Sequence, residues 1–308
     1  MTDYLFLVLG IVCAGMGGEF FVRGVVGIAR WMRVSAGIIG ATVAAFATSS
    51  PELSIAISSA MSGKPQISLG DALGSNVVNI ALILALALSI SGIHCSRNNV
   101  QRDFPVALSA PVITGFLCLD GTLSRLDGML LVFFFVIWLT YSFNEAHKQR
   151  NATGTVLAEK KEWKAVMKCL GGLVLLVAAG RLIVIGAKGI ALAYGIHEFI
   201  IGATVVAVGT SIPELATVVI SKLRGHDEVG LGTVLGSNIF NGLLIIAVAA
   251  MITPITVNWH EVAVALIFGL VAVVIIYPPR RGFIERWKGY LLLVFYVFYL
   301  GTLLYIRL

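Results

Sequence analysis

Gly40-Ala-Thr-Val43, Thr48-Ser-Ser-Pro-Glu52 and Gly74-Ser-Asn-Val-Val-Asn79 return later in the chain as Gly202-Ala-Thr-Val205, Thr210-Ser-Ile-Pro-Glu214 and Gly236-Ser-Asn-Ile-Phe-Asn241. One offset of 162 residues carries all three matches without a gap, and 19 of the 41 positions between 40–80 and 202–242 are identical. Identity at that level is far above chance even for apolar sequence, so it marks an internal repeat.

The surroundings of both copies are apolar. Of 308 residues 58% are hydrophobic and only 12% charged, with a mean hydropathy of +0.95. A soluble domain has about twice that charge and could not hide so much apolar surface, so lipid is the solvent for most of the chain. Ten apolar stretches can be counted, at 4–29, 36–61, 66–91, 104–119, 126–146, 165–192, 198–221, 229–252, 260–277 and 286–306. Each is long enough to cross roughly 30 Å of hydrocarbon. The one long hydrophilic stretch, Glu145 to Lys164, falls near the middle. The expected fold is therefore an all-α membrane protein: a first five-helix repeat over 1–147, a cytoplasmic connector over 148–163, and a second five-helix repeat over 164–308. An odd number of spans per half sends the second half into the membrane from the opposite side. The ten transmembrane helices then form two inverted-topology repeats, an architecture common among secondary transporters.

Charge sets the orientation. With the N-terminus outside, sixteen of the 22 Lys and Arg fall on inner loops and helix ends, Arg102 and Lys222 among them, and four fall outside. The positive-inside rule then puts both termini outside the plasma membrane. The net charge of +6 is a topological signal and implies no nucleic-acid partner. Cys13, Cys95, Cys118 and Cys169 are scattered and suggest neither disulfides nor a metal site. Residues 1–10 lack a basic n-region, so the first span reads as a helix and not a signal peptide. The sequon at Asn151 lies on the cytosolic side and is read as accidental.

Glu52 and Glu214 fall near the middle of the second and seventh spans. A carboxylate there costs on the order of 3 kcal/mol, and neither helix supplies a lysine or arginine to compensate. Either the acids are protonated or a mobile cation neutralises them. Helical spacing puts Ala45, Thr48, Ser49 and Glu52 on one face, and Ala207, Thr210, Ser211 and Glu214 repeat the pattern. Pro51 pushes against the carbonyl of Ala47, and Pro213 against that of Gly209, so carbonyls in that turn are expected to be released. Carboxylates, hydroxyls and freed carbonyls from two facing helices make a cage of hard oxygens, the donor set for Ca²⁺ and Na⁺. Ser75 with Asn79, and Ser237 with Asn241, share faces on the third and eighth spans and complete the cage with neutral oxygens. Gly70, Gly74, Gly232 and Gly236 clear room for close helix approach. Asp71 either attracts cations at an outer mouth or faces headgroups. Asp120, Asp127, His197 and His260 read as interfacial, and Arg23 and Arg181 snorkel or pair with an acid such as Glu19. None of these is assigned to the site.

On these motifs the chain resembles the cation/calcium exchanger superfamily, specifically its prokaryotic sodium/calcium exchanger branch, over its whole length. The resemblance implies a transporter that exchanges Ca²⁺ for Na⁺, with calcium on Glu52 and Glu214 and on the carbonyls of Thr48 and Thr210. It also implies flanking sodium sites lined by Ala45, Ser49, Ser75, Ala207, Ser211 and Ser237, framed by Asn79 and Asn241. Two positions depart from the family pattern: Ala47 stands where the first repeat usually has Gly, and Asn241 where some relatives carry Asp. The rival on the same scaffold is a calcium/proton antiporter, and potassium as a further transported ion stays open. A passive channel is a further alternative, distinguished by flux that needs no exchanged ion. No HExxH, DDxxD or Gly-Ser nucleophile motif points to an enzyme. No cofactor and no protein partner is implied.

Overall fold

The computed structural model describes residues 2–152, 162–193, 207–278 and 282–307. Most of the connector, His197 and Gly202-Ala-Thr-Val205 lie outside the described residues. Within them the apolar stretches are helices, because lipid offers no hydrogen bonds and a helix satisfies its backbone internally. In chain order they are α1 Thr2–Met32, α2 Ala36–Thr48, α3 Ser50–Met61, α4 Pro65–Ile90, α5 Arg97–Leu117, α6 Arg125–Ala152, α7 Glu162–Ala193, α8 Ala207–Thr210, α9 Ile212–Leu223, α10 Asp227–Ile252, α11 Trp259–Ile276 and α12 Arg286–Arg307. Among the described residues six helices are each long and apolar enough to cross a membrane, namely α1, α4, α10 and α11 together with most of α6 and α7. The pair α2 and α3 is bent by 44° at Ser49 and reaches the same length and apolarity only when the two are taken together. The stretch expected to be one helix over 36–61 is thus two half-helices.

Element bounds repeat at the offset of 162 residues: α3 maps onto α9, and the start of α4 at Pro65 onto the start of α10 at Asp227. Gly63 and Gly225 close α3 and α9 with φ of 71° and 70°, a conformation that glycine adopts without strain. Each of α4 and α10 contains a π-helical stretch, Val78–Leu84 and Phe240–Ile245. Each stretch contains the buried Asn79 or Asn241, and wide turns in helices often fall at functional positions. Two short ladders, not anticipated from the sequence, tie the halves together. Strand β1, Ile93–His94, pairs antiparallel with β4, Phe283–Ile284, while β2, Thr122–Leu123, pairs with β3, Ile255–Thr256.

Helices α4 and α10 form the centre, and the largest apolar cluster surrounds them. Helix α1 runs against α7 with almost no side-chain spacing. A Cβ on Gly24 would lie 2.6 Å from Cys169 Cα, and one on Gly172 would lie 2.7 Å from Phe21 Cα. Gly10, Gly17 and Gly24 recur every seven residues along that seam. Small residues at such spacing let backbones pack closely where lipid supplies no hydrophobic drive.

One basic residue departs from its expected place. Arg102 is buried, not on an inner loop, because α5 begins at Arg97, ahead of the expected span, and carries the residue inside. Its guanidinium donates two bonds of 2.7 Å to Asp103, which also accepts from Trp138 Nε1 at 3.2 Å. Burial of both charges is tolerated because each neutralises the other. Arg23 pairs with Glu19 as anticipated, and Arg224 shares the same carboxylate at 2.8 Å. Asp120 and Asp127 bond the backbone at Thr122 and Ser124, consistent with helix-end positions.

Candidate ion-binding site

The two copies of the Thr-Ser-x-Pro-Glu motif build the site by stopping one helix and starting another. Ser49 (φ −83°, ψ 8°) and Ser211 (φ −88°, ψ 11°) lie outside helical geometry, and each proline stands in the first turn of the helix that follows. A proline there loses nothing, since its missing N–H would have had no partner. The sequence reading of Ala45 to Glu52 as one continuous helical face is corrected accordingly. Glu52 and Glu214 instead occupy the first turns of α3 and α9, where exposed N–H groups and the helix dipole favour negative charge. The expected free carbonyl at Ala47 is also corrected: the Ser50 hydroxyl donates to it at 2.7 Å. Position 212 is Ile, so Gly209 has no such hydroxyl beside it.

Thr48, Ser49, Glu52, Ser75, Asn79, Ser211, Glu214, Ser237 and Asn241 are each at most 3% exposed, and Ala45 is fully buried. Thr210 is half-buried, and the side chain of Ala207 lies outside what is described. Bonds within and across the halves connect the set. Ser49 Oγ donates to Glu214 Oε1 at 3.3 Å, Ser237 Oγ donates to the same oxygen at 3.4 Å, and the Thr48 hydroxyl lies 3.5 Å from that of Ser237. The charge of Glu214 acts on Glu52. The opposite oxygens are left over: Glu52 Oε2, Glu214 Oε2, Ser211 Oγ, Asn79 Oδ1 and both polar atoms of Asn241 are buried without hydrogen-bond partners. Buried polar atoms are normally paired, and leaving one unpaired costs about 1–3 kcal/mol. No lysine or arginine reaches either glutamate among the described residues. The arrangement buries two carboxylates and several neutral oxygens and links them across the two halves, the donor types that a hard cation takes. Among the described residues no group of three His, Cys, Asp or Glu gathers, so neutral oxygens must supply most of any coordination shell.

Two residues that the sequence reading passed over hold this together. Asn76 Nδ2 donates to the Asn238 carbonyl at 3.2 Å and Asn238 Nδ2 donates to the Asn76 carbonyl at 3.1 Å, a reciprocal pair across the two halves. Asn79 Nδ2 donates to Asn238 Oδ1 at 3.1 Å, which fixes the amide so that its oxygen stays free. The signal was present, since Asn76 and Asn238 occupy matching places in the repeated Gly-Ser-Asn motif. Asn238→Ala is expected to lower stability by about 2 kcal/mol through lost and orphaned bonds. It should also weaken calcium binding by freeing Asn79, which thermal unfolding with and without calcium would show.

The close approach expected of glycines holds for Gly232 and Gly236, which pack on the backbone of Gly37 and Ala41. Among the described residues a Cβ on Gly70 would meet nothing within 4 Å, and one on Gly74 would meet the Tyr299 hydroxyl at 3.8 Å.

The profile described as sodium/calcium exchanger protein matches residues 2–144 and 164–305. The chain is 33% identical to the putative antiporter CaxA of Alkalimonas amylolytica over 258 residues, 81% of each protein. It is 29% identical to the sodium/calcium exchanger MaX1 of Methanosarcina acetivorans over 347 aligned positions, 99% of each. Its fold is similar to that of the sodium-calcium exchanger NCX_Mj soaked with Na⁺ and Ca²⁺, with a TM-score of 0.85 and 31% identity, covering 98% of this chain and 99% of that one.

Proposed function

This chain belongs to the sodium/calcium exchanger protein family, and from that premise we propose that it is an electrogenic antiporter that moves Ca²⁺ against Na⁺ by alternating access to one mid-membrane site. The family is one of transporters and not of enzymes. The observation that carries the proposal is the pair Glu52 and Glu214, buried at matching half-helix starts with unpartnered oxygens and, among the described residues, no basic side chain paired with them. Either one Ca²⁺ or a set of Na⁺ ions neutralises the pair, so each excludes the other. Calcium is liganded by Glu52, Glu214 and the carbonyls of Thr48 and Thr210. Sodium uses the flanking oxygens at Ser49, Ser75, Ser211 and Ser237 and the backbone at Ala45 and Ala207, with Asn79 and Asn241 framing the centre.

The same reading takes the protein as ten transmembrane helices in two inverted repeats, multi-pass in the plasma membrane with both termini outside. The matching element bounds, the two inter-half ladders and the reciprocal Asn76–Asn238 bonds support it. In the transport cycle α1 and α7 move as one body, because their backbones interlock at Gly24 and Gly172. Glycines lie where this pair meets the core: Gly18 faces the Ala216 carbonyl and the Ile220 side chain of α9, and Gly180 faces the carbonyl of Gly209.

Calcium uptake into proteoliposomes loaded in turn with sodium, potassium or protons tests the counter-ion. Uptake driven by sodium alone is the expected result, and uptake driven by protons alone would refute it. Electrogenic exchange moves more positive charge as Na⁺ than as Ca²⁺ in each cycle. Calcium flux should therefore change when a membrane potential is imposed with valinomycin; no response would indicate a neutral exchange.

A further inference from the structure

Helix α4 carries polar groups that the central site does not use. Ser68, Asp71, Ser75 and Asn79 follow at steps of three, four and four residues, and so occupy an arc of about 80° on one face. Ser75 and Asn79 belong to the ion site; Ser68 and Asp71 lie one to two turns nearer the Pro65 end. Ser68 is 1% exposed and its hydroxyl has no hydrogen-bond partner. Asp71 is partly buried and has no hydrogen bond or ion pair among the described residues. Its charge is felt at Glu52, whose own Oε2 is buried and unpartnered. An acid and a hydroxyl left idle on the face that leads to the site are costly unless something else meets them.

The repeat provides an internal comparison. The matching positions on α10 are Gly230 and Thr233, and the Thr233 hydroxyl is engaged with the Val229 carbonyl at 2.8 Å. Asp227, at the start of α10, is held by Lys222 at 3.1 Å, and Glu228 points away from the Thr233–Ser237–Asn241 face by helical position. The polar stripe therefore extends beyond the site in one half only.

We propose that Ser68 and Asp71 form a cation-recruiting station on the Pro65 side of α4, without a counterpart on the opposite side. It takes a hard divalent cation, held by the Asp71 carboxylate and the Ser68 hydroxyl with water completing the shell, and passes it along Ser75 to Glu52. The inference rests on the exchange reading and adds a sidedness to it: calcium arriving from the Pro65 side meets Asp71 before the central pair, whereas the matching face of α10 carries Gly230 and Thr233 and no acid.

Sodium-driven calcium flux in vesicles of defined protein orientation tests this. Asp71→Asn should raise the half-saturating Ca²⁺ concentration on the Pro65 side roughly three- to tenfold, the scale of one unit charge acting over about two helical turns in partly hydrated surroundings. The opposite side and the maximal rate should stay near the parent values. Ser68→Ala should shift the same constant in the same sense by less, and Asp71→Glu should restore most of it. An unchanged constant, or an equal shift on both sides, overturns the station. If Asp71→Asn lowers the maximal rate of folded protein while the constant stays put, Asp71 acts on structure and the station is again overturned. A parent protein with no sodium-driven calcium flux sinks the exchange reading itself, which keeps the two failures apart.

Discussion

Glu52→Gln and Glu214→Gln should each reduce calcium flux to about 1% of the parent or less while leaving the folded protein intact. Removing one charge from a buried, charge-neutralised site costs about 3 kcal/mol or more, over a hundredfold in occupancy. The fold should survive because glutamine keeps the carboxylate's shape and one acceptor oxygen. At position 214 that oxygen still accepts from Ser49 and Ser237. Thermal unfolding separates loss of the ion from loss of structure. Calcium at a hundred times its dissociation constant should stabilise the parent by about 2.7 kcal/mol and neither variant measurably. Without ions, each variant should be as stable as the parent or more so, because one uncompensated buried charge is gone. A variant that keeps its calcium-dependent stabilisation would make that glutamate a packing group, and the site would have to be sought elsewhere.

Gly236→Val is expected to have the second largest effect, this time on folding. A Cβ at 236 would collide with the Ala41 carbonyl and lie 2.7 Å from Ala41 Cα. Neither backbone can retreat easily, since Ala41 is fully buried within the π-helical stretch Gly40–Ala44 and Gly236 is buried on α10. Gly232 abuts Gly37 in the same way, since a Cβ there would lie 2.6 Å from the Gly37 carbonyl oxygen, so the two helices cross backbone on backbone. Forcing them apart costs about 3 kcal/mol or more, beyond the usual range for an overpacked side chain. It also separates the Thr48 and Ser237 hydroxyls, 3.5 Å apart. The expected outcome is little monodisperse protein after detergent extraction, and no calcium stabilisation in what remains. Gly15→Ala serves as the control. No atom of the described residues lies within 4 Å of its Cβ, and alanine favours the helix by about 1 kcal/mol. Equal behaviour of the two variants would mean that the α2–α10 crossing is not tight.

By itself the sequence determined the solvent of the chain, the doubled Thr-Ser-x-Pro-Glu and Gly-Ser-Asn motifs, and the residues with the chemistry for a cation. These are local properties. Apolar length reports lipid, a fixed offset reports duplication, and an acid without a base in its own helix reports a missing partner wherever the chain goes. Helix bounds were also readable to within a few residues for most spans, because lipid leaves a helix as the only local solution for the backbone. The break at Ser49 was less accessible: the sequence marked the strain through Pro51, but whether a helix bulges or stops depends on what packs around it. Only the tertiary structure decided that Ser49 bonds Glu214 of the other half and that Asn76 and Asn238 clasp each other. It also decided that Arg102 turns inward to Asp103, and that the idle Ser68 and Asp71 extend the face of Ser75 in one half alone. Periodicity tells which face of a helix is polar. Which residue of the opposite half meets that face is set by how the two repeats pack against each other, and no spacing within one helix encodes that.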